Sequence, residues 1–290
     1  MPEIVQHCPL CGSATHSPFD ERHFRGYRVI NVICQSCGLV YQSPRMDEAE
    51  SQAFYQAEYR LLYQGQEGPN TKDLKVQSQR AEVTLEFIQP HIKSASRLLD
   101  IGCSSGLLLQ KFSAYFHASA WGIEPGDMYR QYAQLAGLEV FTSLDELKQA
   151  GSPPFSLVSM MHVLEHLPDP VGYLADLRLH RLEQDGWLLL EVPNLYAHDS
   201  FEVAHLVSYS PHTLKQVVEK AGYRVAALRK HGQPRSKQLP LYITLLAIPS
   251  PVSTYKLKPE HYVHLRRQWG FFRRRLVQRI FPYQAWLPVE

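Results

Sequence analysis

The phrase HVLEHLPDP (162–170) places His162, Glu165 and His166 between an apolar run and two prolines. Histidine can take up a proton near neutral pH, and a neighbouring carboxylate can fix its tautomer, so the trio could do acid–base chemistry. The reading favoured over catalysis is that Glu165 and His166 cap or brace the helix expected to begin near Asp169. A second set with the same chemical competence, Glu202 and His205, lies in FEVAH (201–205). Near the start of the chain, CPLCG (Cys8, Cys11) and CQSCG (Cys34, Cys37) use four of the five cysteines. A CxxC turn points two thiolates at one centre, and the glycine after it frees the backbone to aim amides at sulfur. Two such turns make a tetrahedral four-thiolate site for Zn2+, with no position left for water, so the ion would be structural. Two disulfides are the competing reading, disfavoured where thiols are kept reduced.

A third set is DIGCSSG (100–106). Asp100 ends an apolar strand, Gly102 sits in the turn, Gly106 opens a helix, and Glu124 ends the following strand in WGIEPG. Small residues let a backbone approach a ligand closely, and a strand-end carboxylate can hold two ribose hydroxyls. A dinucleotide fingerprint would place glycine at 104 and 107, where this chain has Ser104 and Leu107, which argues against a pyrophosphate ligand. Cys103 reads as a small packing residue.

These residues need a scaffold, and from residue 97 the pattern alternates between short apolar strands and amphipathic helices. Strands are expected at 97–102, 119–126, in LEVF, at 155–163 and at 186–192. Helices are expected at 106–116, in DMYRQYAQLAG and SLDELKQA, and near 170–181. TLKQVVEKAG is a further helix, with Ser210 as its cap, Pro211 at the first helical position and His212 beside it. YRVAALRK and LPLYITLLAIP supply an antiparallel pair. The fold class is α/β, a doubly wound, seven-stranded, mostly parallel sheet whose ligand lies at the carboxyl ends of the strands. Four segments result: a zinc ribbon at 1–45, a helical connector or lid at 46–95 with a helix within 71–93, the Rossmann-like domain at 96–250, and a basic tail at 251–290. In the ribbon, FRGYRVINVIC reads as strand, and the module is too small to fold without metal.

The motifs LLDIGCSSG, WGIEPG, FSLVSMMHVLEHLPDP, LLLEVPN and YSPHTLKQVVEKAGYRV, in this order, resemble those of class I S-adenosylmethionine-dependent methyltransferases. The resemblance covers roughly residues 5–248 and is greatest to small-molecule and sugar methyltransferases, several of which begin with a CxxC zinc module. It implies that Asp100, Gly102 and Gly106 form the methionine-side loop, that Glu124 holds the ribose, and that Met161 and His162 line the pocket. FTSLDEL (141–147) would border the adenine, and Tyr59 or Tyr63 would close over the cofactor. Ser104 departs from the glycine frequent in the family but is small. Methyl transfer to a hydroxyl requires removal of its proton, and the resemblance points to His205, with Glu202 orienting it, in the insertion after EVPN. His166 is the other candidate base.

The implied function is methyl transfer from S-adenosylmethionine to oxygen, or carbon, of a sugar or secondary metabolite. Two alternatives are an RNA base methyltransferase gripping RNA with its ribbon, and a non-catalytic protein that keeps the fold for binding. Charge weighs against RNA: residues 250–290 hold eight Lys and Arg against two Glu, so the other 249 residues carry a net charge of −4. The absence of a signal-like start and of long apolar runs leads to the expectation of a cytoplasmic protein. In the tail, Tyr262, Leu265, Trp269, Phe272, Leu276 and Ile280 recur at helical spacing among arginines. Such a helix packs on its own domain, on a second subunit in an oligomer, or on an anionic membrane.

Overall fold

The computed structural model describes residues 2–57, 68–250 and 255–287; Tyr59 and Tyr63 lie outside them. Its centre is a seven-stranded sheet of β4 (Arg97–Ile101), β5 (Ser119–Ile123), β6 (Glu139–Phe141), β7 (Phe155–Met161), β8 (Leu182–Pro193), β10 (Tyr223–His231) and β11 (Tyr242–Pro249), in the spatial order β10-β11-β8-β7-β4-β5-β6. Strands β6, β5, β4, β7 and β8 run parallel, whereas β11 is antiparallel to both its neighbours. The chain winds from β4 to one edge through β5 and β6, then restarts at β7 on the other side. That reversal opens a crevice at the carboxyl ends of β4 and β7, where open α/β sheets bind ligands.

The two faces of the sheet bury different clusters, which is why its strands read as near-continuous apolar runs. Leu98, Leu157, Leu189 and Leu246 face helices α2 (Thr71–Ile88), α3 (Leu107–Phe116) and α4 (Asp127–Leu135), through Leu85, Leu109, Phe112 and Ala133. Leu99, Val158, Leu188 and Leu245 face α5 (Leu144–Gln149), α6 (Pro170–His180) and α7 (Pro211–Lys220), through Leu147, Leu174 and Val217. Helix starts follow their local chemistry. Asn70 caps α2, Ser143 caps α5, Asp169 caps α6, and Ser210 with Thr213 forms a capping box before α7, with proline at the first helical position of the last two. A further helix, α1 (Glu48–Ala57), leads from the ribbon.

The ribbon holds more strand than its sequence suggests. FRGYRVINVIC is the turn and second arm of a hairpin, β1 (His16–Phe24) and β2 (Tyr27–Cys34), reversed at Arg25 and Gly26, both at positive φ. Two consecutive positive φ values suit the right-handed twist of a tight hairpin. β3 (Val40–Gln42) pairs with β2 on one side and, on the other, with β9 (Val207–Ser208) from the insertion after β8. The fourth strand of the ribbon sheet is thus donated by the α/β domain.

The tail folds into α8 (Val263–Ile280) and α9 (Pro282–Ala285). Buried Glu260 anchors it, accepting from Ser210 Oγ, Tyr196 Oη and Arg266, while its backbone N–H donates to the Cys37 carbonyl. No helix among the described residues is long and apolar enough to cross a membrane.

Candidate active site

The crevice at the ends of β4 and β7 opens into a cavity of about 620 Å³. Asp100, Gly102, Cys103 and Ser104 form one wall, Glu124 to Gly126 and Thr142 to Leu144 the next, and Met161, His162, Val163 and His166 a third. The loop after β4 is held by Gly102 and Cys103 N–H donating to the Ile123 carbonyl, and by Ser104 N–H donating to Glu124 Oε2 at 3.0 Å. Gly102 has φ +75, and a β-carbon there would lie 2.5 Å from Val163 Cγ2, so only glycine lets the turn pass this close. Ser104, at φ +51, and His162, at φ +58, take left-handed conformations without being glycine. Strain of about 1–2 kcal/mol at each is held against the cavity by surrounding bonds.

Asp100 is buried and accepts from Ser159 Oγ at 2.7 Å. Burial pushes its carboxyl up to about 7, with the Ser159 bond opposing and the nearby Glu124 charge adding to the rise. Glu124 is also buried, each of its oxygens accepting one backbone N–H, from Ser104 and Gly126, and it still lines the cavity. Gly106 opens α3 at φ +76 without lining the cavity, and Cys103 Sγ packs beneath Gly122, as a packing residue should.

Sequence reasoning missed the wall supplied by α2. Asp73, Gln77 and Arg80 project from it into the cavity. Asp73 accepts from Tyr129 Oη and Gln77, and Ser105 donates to Gln77 Oε1. Arg80 lies 3.2 Å from Glu191 and 5.1 Å above the Tyr242 ring. Glu191 is fully buried and is also met by His162 Nε2, His231 Nε2 and Thr244 Oγ1 at 2.9–3.2 Å. Burial alone would raise this carboxyl, but Arg80 and the two histidines hold it well below its ordinary range. The only linear hint was the polar helical stretch KDLKVQSQR, which carries no motif.

The opening phrase resolves into two roles. His162 bridges Glu165 through Nδ1 at 3.3 Å and Glu191 through Nε2 at 3.2 Å. Burial and Arg80 push its pKa down, yet the two carboxylates outweigh them and leave it raised. His166 instead donates from Nδ1 to the Ala204 carbonyl at 2.8 Å and lines the cavity. His205 makes the same kind of bond, Nδ1 to the Ser200 carbonyl at 2.8 Å, and its ring sits 4.9 Å from that of His166. A carbonyl partner requires Nδ1 to carry the proton, so in the neutral tautomer Nε2 of each ring is the basic nitrogen. Burial and then His205 pull His166 down to about 4, and burial also lowers His205, so both are neutral at neutral pH. The fold brings together the two bases expected from the sequence, with His166 at the cavity wall, His205 behind it, and Glu202 3.9 Å from His205 Nε2. Glu165 braces His162 rather than capping α6, a task done by Asp169.

Away from the cavity, the four ribbon thiols converge. Sγ atoms of Cys8 and Cys37 are 3.5 Å apart, those of Cys11 and Cys34 3.4 Å, and all four lie within 4.8 Å of one another. Zn–S bonds of about 2.3 Å in a tetrahedron would put sulfurs about 3.8 Å apart, so this donor set fits zinc. Gly12 and Gly38 take positive φ after each CxxC, and their N–H groups close the turns onto Cys8 and Cys34 carbonyls.

A family model described as a methyltransferase domain matches residues 75–228, more than half of the chain. The chain belongs to the S-adenosylmethionine-dependent methyltransferase family. Among curated methyltransferases, the ubiquinone biosynthesis O-methyltransferase of Hahella chejuensis is 37% identical over 99 residues, 31% of this chain and 41% of the relative. That of Ruegeria pomeroyi is 38% identical over 99 residues, 32% and 38% of the two chains. The chain thus spans less than half the length of these methyltransferases. Among solved structures, the plantazolicin methyltransferase BpumL in complex with SAH aligns with TM-score 0.50 and 11% identity, over 69% of this chain and 94% of its own, a likeness of fold.

Proposed function

We propose that this protein transfers the methyl group of S-adenosylmethionine to an oxygen atom of a small-molecule acceptor, with the His166–His205 pair taking the acceptor's proton. The observation that carries the reading is one cavity with two kinds of wall. Asp100, Gly102 and Glu124 suit a nucleoside bearing an amino acid arm, and a neutral, anchored histidine stands in the same cavity. Bound there, the donor would supply an electrophilic methyl group on a sulfonium.

The residues of the chain do the rest. Asp100 would hold the cationic amino acid arm, Glu124 would take the ribose hydroxyls, Thr142 to Leu144 would border the base, and Gly102 would let the turn pass close beneath the arm. Met161 and His162 line the floor, and the carboxylates on both sides of His162 fix its ring. His166 would take the acceptor's proton at Nε2 as the acceptor oxygen bonds the methyl carbon, with the carbon–sulfur electron pair leaving on the donor sulfur. His205 packs against the His166 ring and, lowered by burial, is itself neutral at neutral pH. The O-methyltransferase names of the curated relatives support oxygen over carbon.

Cys8, Cys11, Cys34 and Cys37 are assigned one Zn2+, closed to water and structural. RNA is a poor fit for the ribbon, because Arg22 is paired with Asp20 and Asp199, and Arg28 with Glu21. Calorimetric titration of the zinc-loaded protein with S-adenosylmethionine and S-adenosylhomocysteine tests the reading, followed by mass spectrometry of phenolic and sugar acceptors incubated with methyl-labelled donor. Micromolar binding and an O-methylated product are expected; no binding by folded protein would overturn the proposal.

A further inference from the structure

An amphipathic helix is expected to bury its apolar face, whereas α8 buries Val263 and packs Val277 against Leu239 and Leu241 but turns most of its large apolar residues outward. Its inward side carries Val263, Arg267, Gly270 and Arg274. Gly270 presses against the backbone of Tyr196, so closely that a β-carbon has no room. Arg267 stacks 4.0 Å above Phe201 and donates to the Leu195 carbonyl, and Arg274 donates to the Ala197 carbonyl at 3.2 Å. Facing away are Leu265, Trp269, Phe272, Leu276 and Ile280, between 46% and 67% exposed, with Tyr283 of α9 beyond them at 86%. Their spacing of three or four residues makes one continuous stripe, whose edge at Phe272 also borders a cavity shared with Phe19 and Arg22.

Charge identifies what the stripe meets. The helix has six arginines and no acidic residue. At about 100° per residue, Arg273 borders one edge of the stripe while Arg275 and Arg279 border the other. None of these three has an ion-pair partner among the described residues. Arginine stems can lie along an apolar surface while their heads reach phosphate, and the central indole of Trp269 suits the boundary between headgroup and acyl chain. A second copy meeting the same stripe would instead set arginine against arginine.

We propose that α8 seats the protein on an anionic bilayer surface, with Leu265, Trp269, Phe272, Leu276 and Ile280 entering the headgroup–acyl boundary and Arg273, Arg275 and Arg279 at the lipid phosphates. The proposal is independent of the methyl-transfer chemistry. It is tested by sedimenting the full zinc-loaded chain with vesicles of phosphatidylcholine, with and without phosphatidylglycerol. Wild type should pellet with the anionic vesicles and largely remain in solution with the neutral ones. Trp269→Glu with Phe272→Glu should abolish pelleting while leaving the thermal transition and donor binding unchanged, since both side chains point outward. Converting Arg273, Arg275 and Arg279 to Gln should weaken partitioning roughly fivefold per arginine. Absence of pelleting, equal pelleting with neutral vesicles, or pelleting unaffected by the double substitution would each overturn the proposal. So would a lipid-free dimer, seen by sedimentation velocity, that the double substitution dissolves, because the occupant would then be a second copy.

Discussion

Gln42, at the end of the third ribbon strand, donates from Nε2 to the carbonyls of Glu202 at 2.6 Å and His205 at 2.8 Å. Its backbone N–H also donates to the Leu206 carbonyl at 2.9 Å. The ribbon thus holds the main chain of the insertion that carries a candidate base. Gln42→Ala leaves those carbonyls without their partner, at a cost of about 1–3 kcal/mol. The expected outcome is a lower melting temperature and a lower kcat with donor affinity unchanged, read by calorimetry and steady-state kinetics. A shift in stability alone would confine the link to scaffolding.

The proposed His166–His205 pair sets a pH expectation. His166 is drawn down to about 4 by burial and His205, so it remains able to accept a proton well below the ordinary histidine range. The acidic limb of kcat/KM should therefore lie near pH 4–5 rather than at about 6.5, the value of a free histidine. His166→Gln should lower kcat by about 10²–10⁴-fold and eliminate that limb, with little change in donor binding.

Asp100 should couple donor binding to protons. With its carboxyl pushed up to about 7 by burial, it is largely neutral below that pH and charged above it. A cationic ligand favours the charged form, so affinity should be level above pH 7 and fall below it by up to about tenfold per pH unit. Titrations in buffers of different ionisation enthalpy should show proton release near pH 6.5, and Asp100→Asn should show none.

Glu191 is the buried hub between Arg80, His162 and His231. Its carboxyl is held low, so the stability it confers is present above the unfolded carboxylate pKa and is lost as pH falls through the lower folded value. Glu191→Leu strands Arg80 beside the sheet and should cost about 3–5 kcal/mol in urea unfolding at pH 7. The difference from wild type should narrow on acidification.

Metal removal should propagate. Chelation in denaturant, or Cys8→Ser, should release one zinc per chain by elemental analysis and expose the β3 edge that pairs with β9. Hydrogen exchange is expected to rise in residues 202–208 as well as in the ribbon.

The sheet was readable because its strands are buried on both faces and its turns carry their own chemistry, as at Asp100, Gly102, Ser210 and Asp169. The four cysteines were readable because ligand spacing is local. β1 was not, because HSPFDERHF is half exposed and mostly polar. β9 was not, because two residues form a strand only when a partner is already in place. Arg80 and Glu191 lie 111 positions apart, and only the fold makes them neighbours. The tail showed its helical period but not which way it would turn. Gly270 settled that, since the side lacking a side chain approaches the Tyr196 backbone and commits Arg267 and Arg274 to the interior.

The pairing of β3 with β9 also bears on how such a protein could be inherited or rebuilt. Sequence similarity would divide it after the ribbon, as though residues 1–45 were a cassette that could be traded between enzymes. The hydrogen bonds divide it elsewhere, since residues 202–208 complete the sheet that the cassette begins. Swapping a foreign ribbon onto this catalytic domain should succeed only when that short return segment travels with it, and descent should preserve the two distant stretches as a single heritable unit.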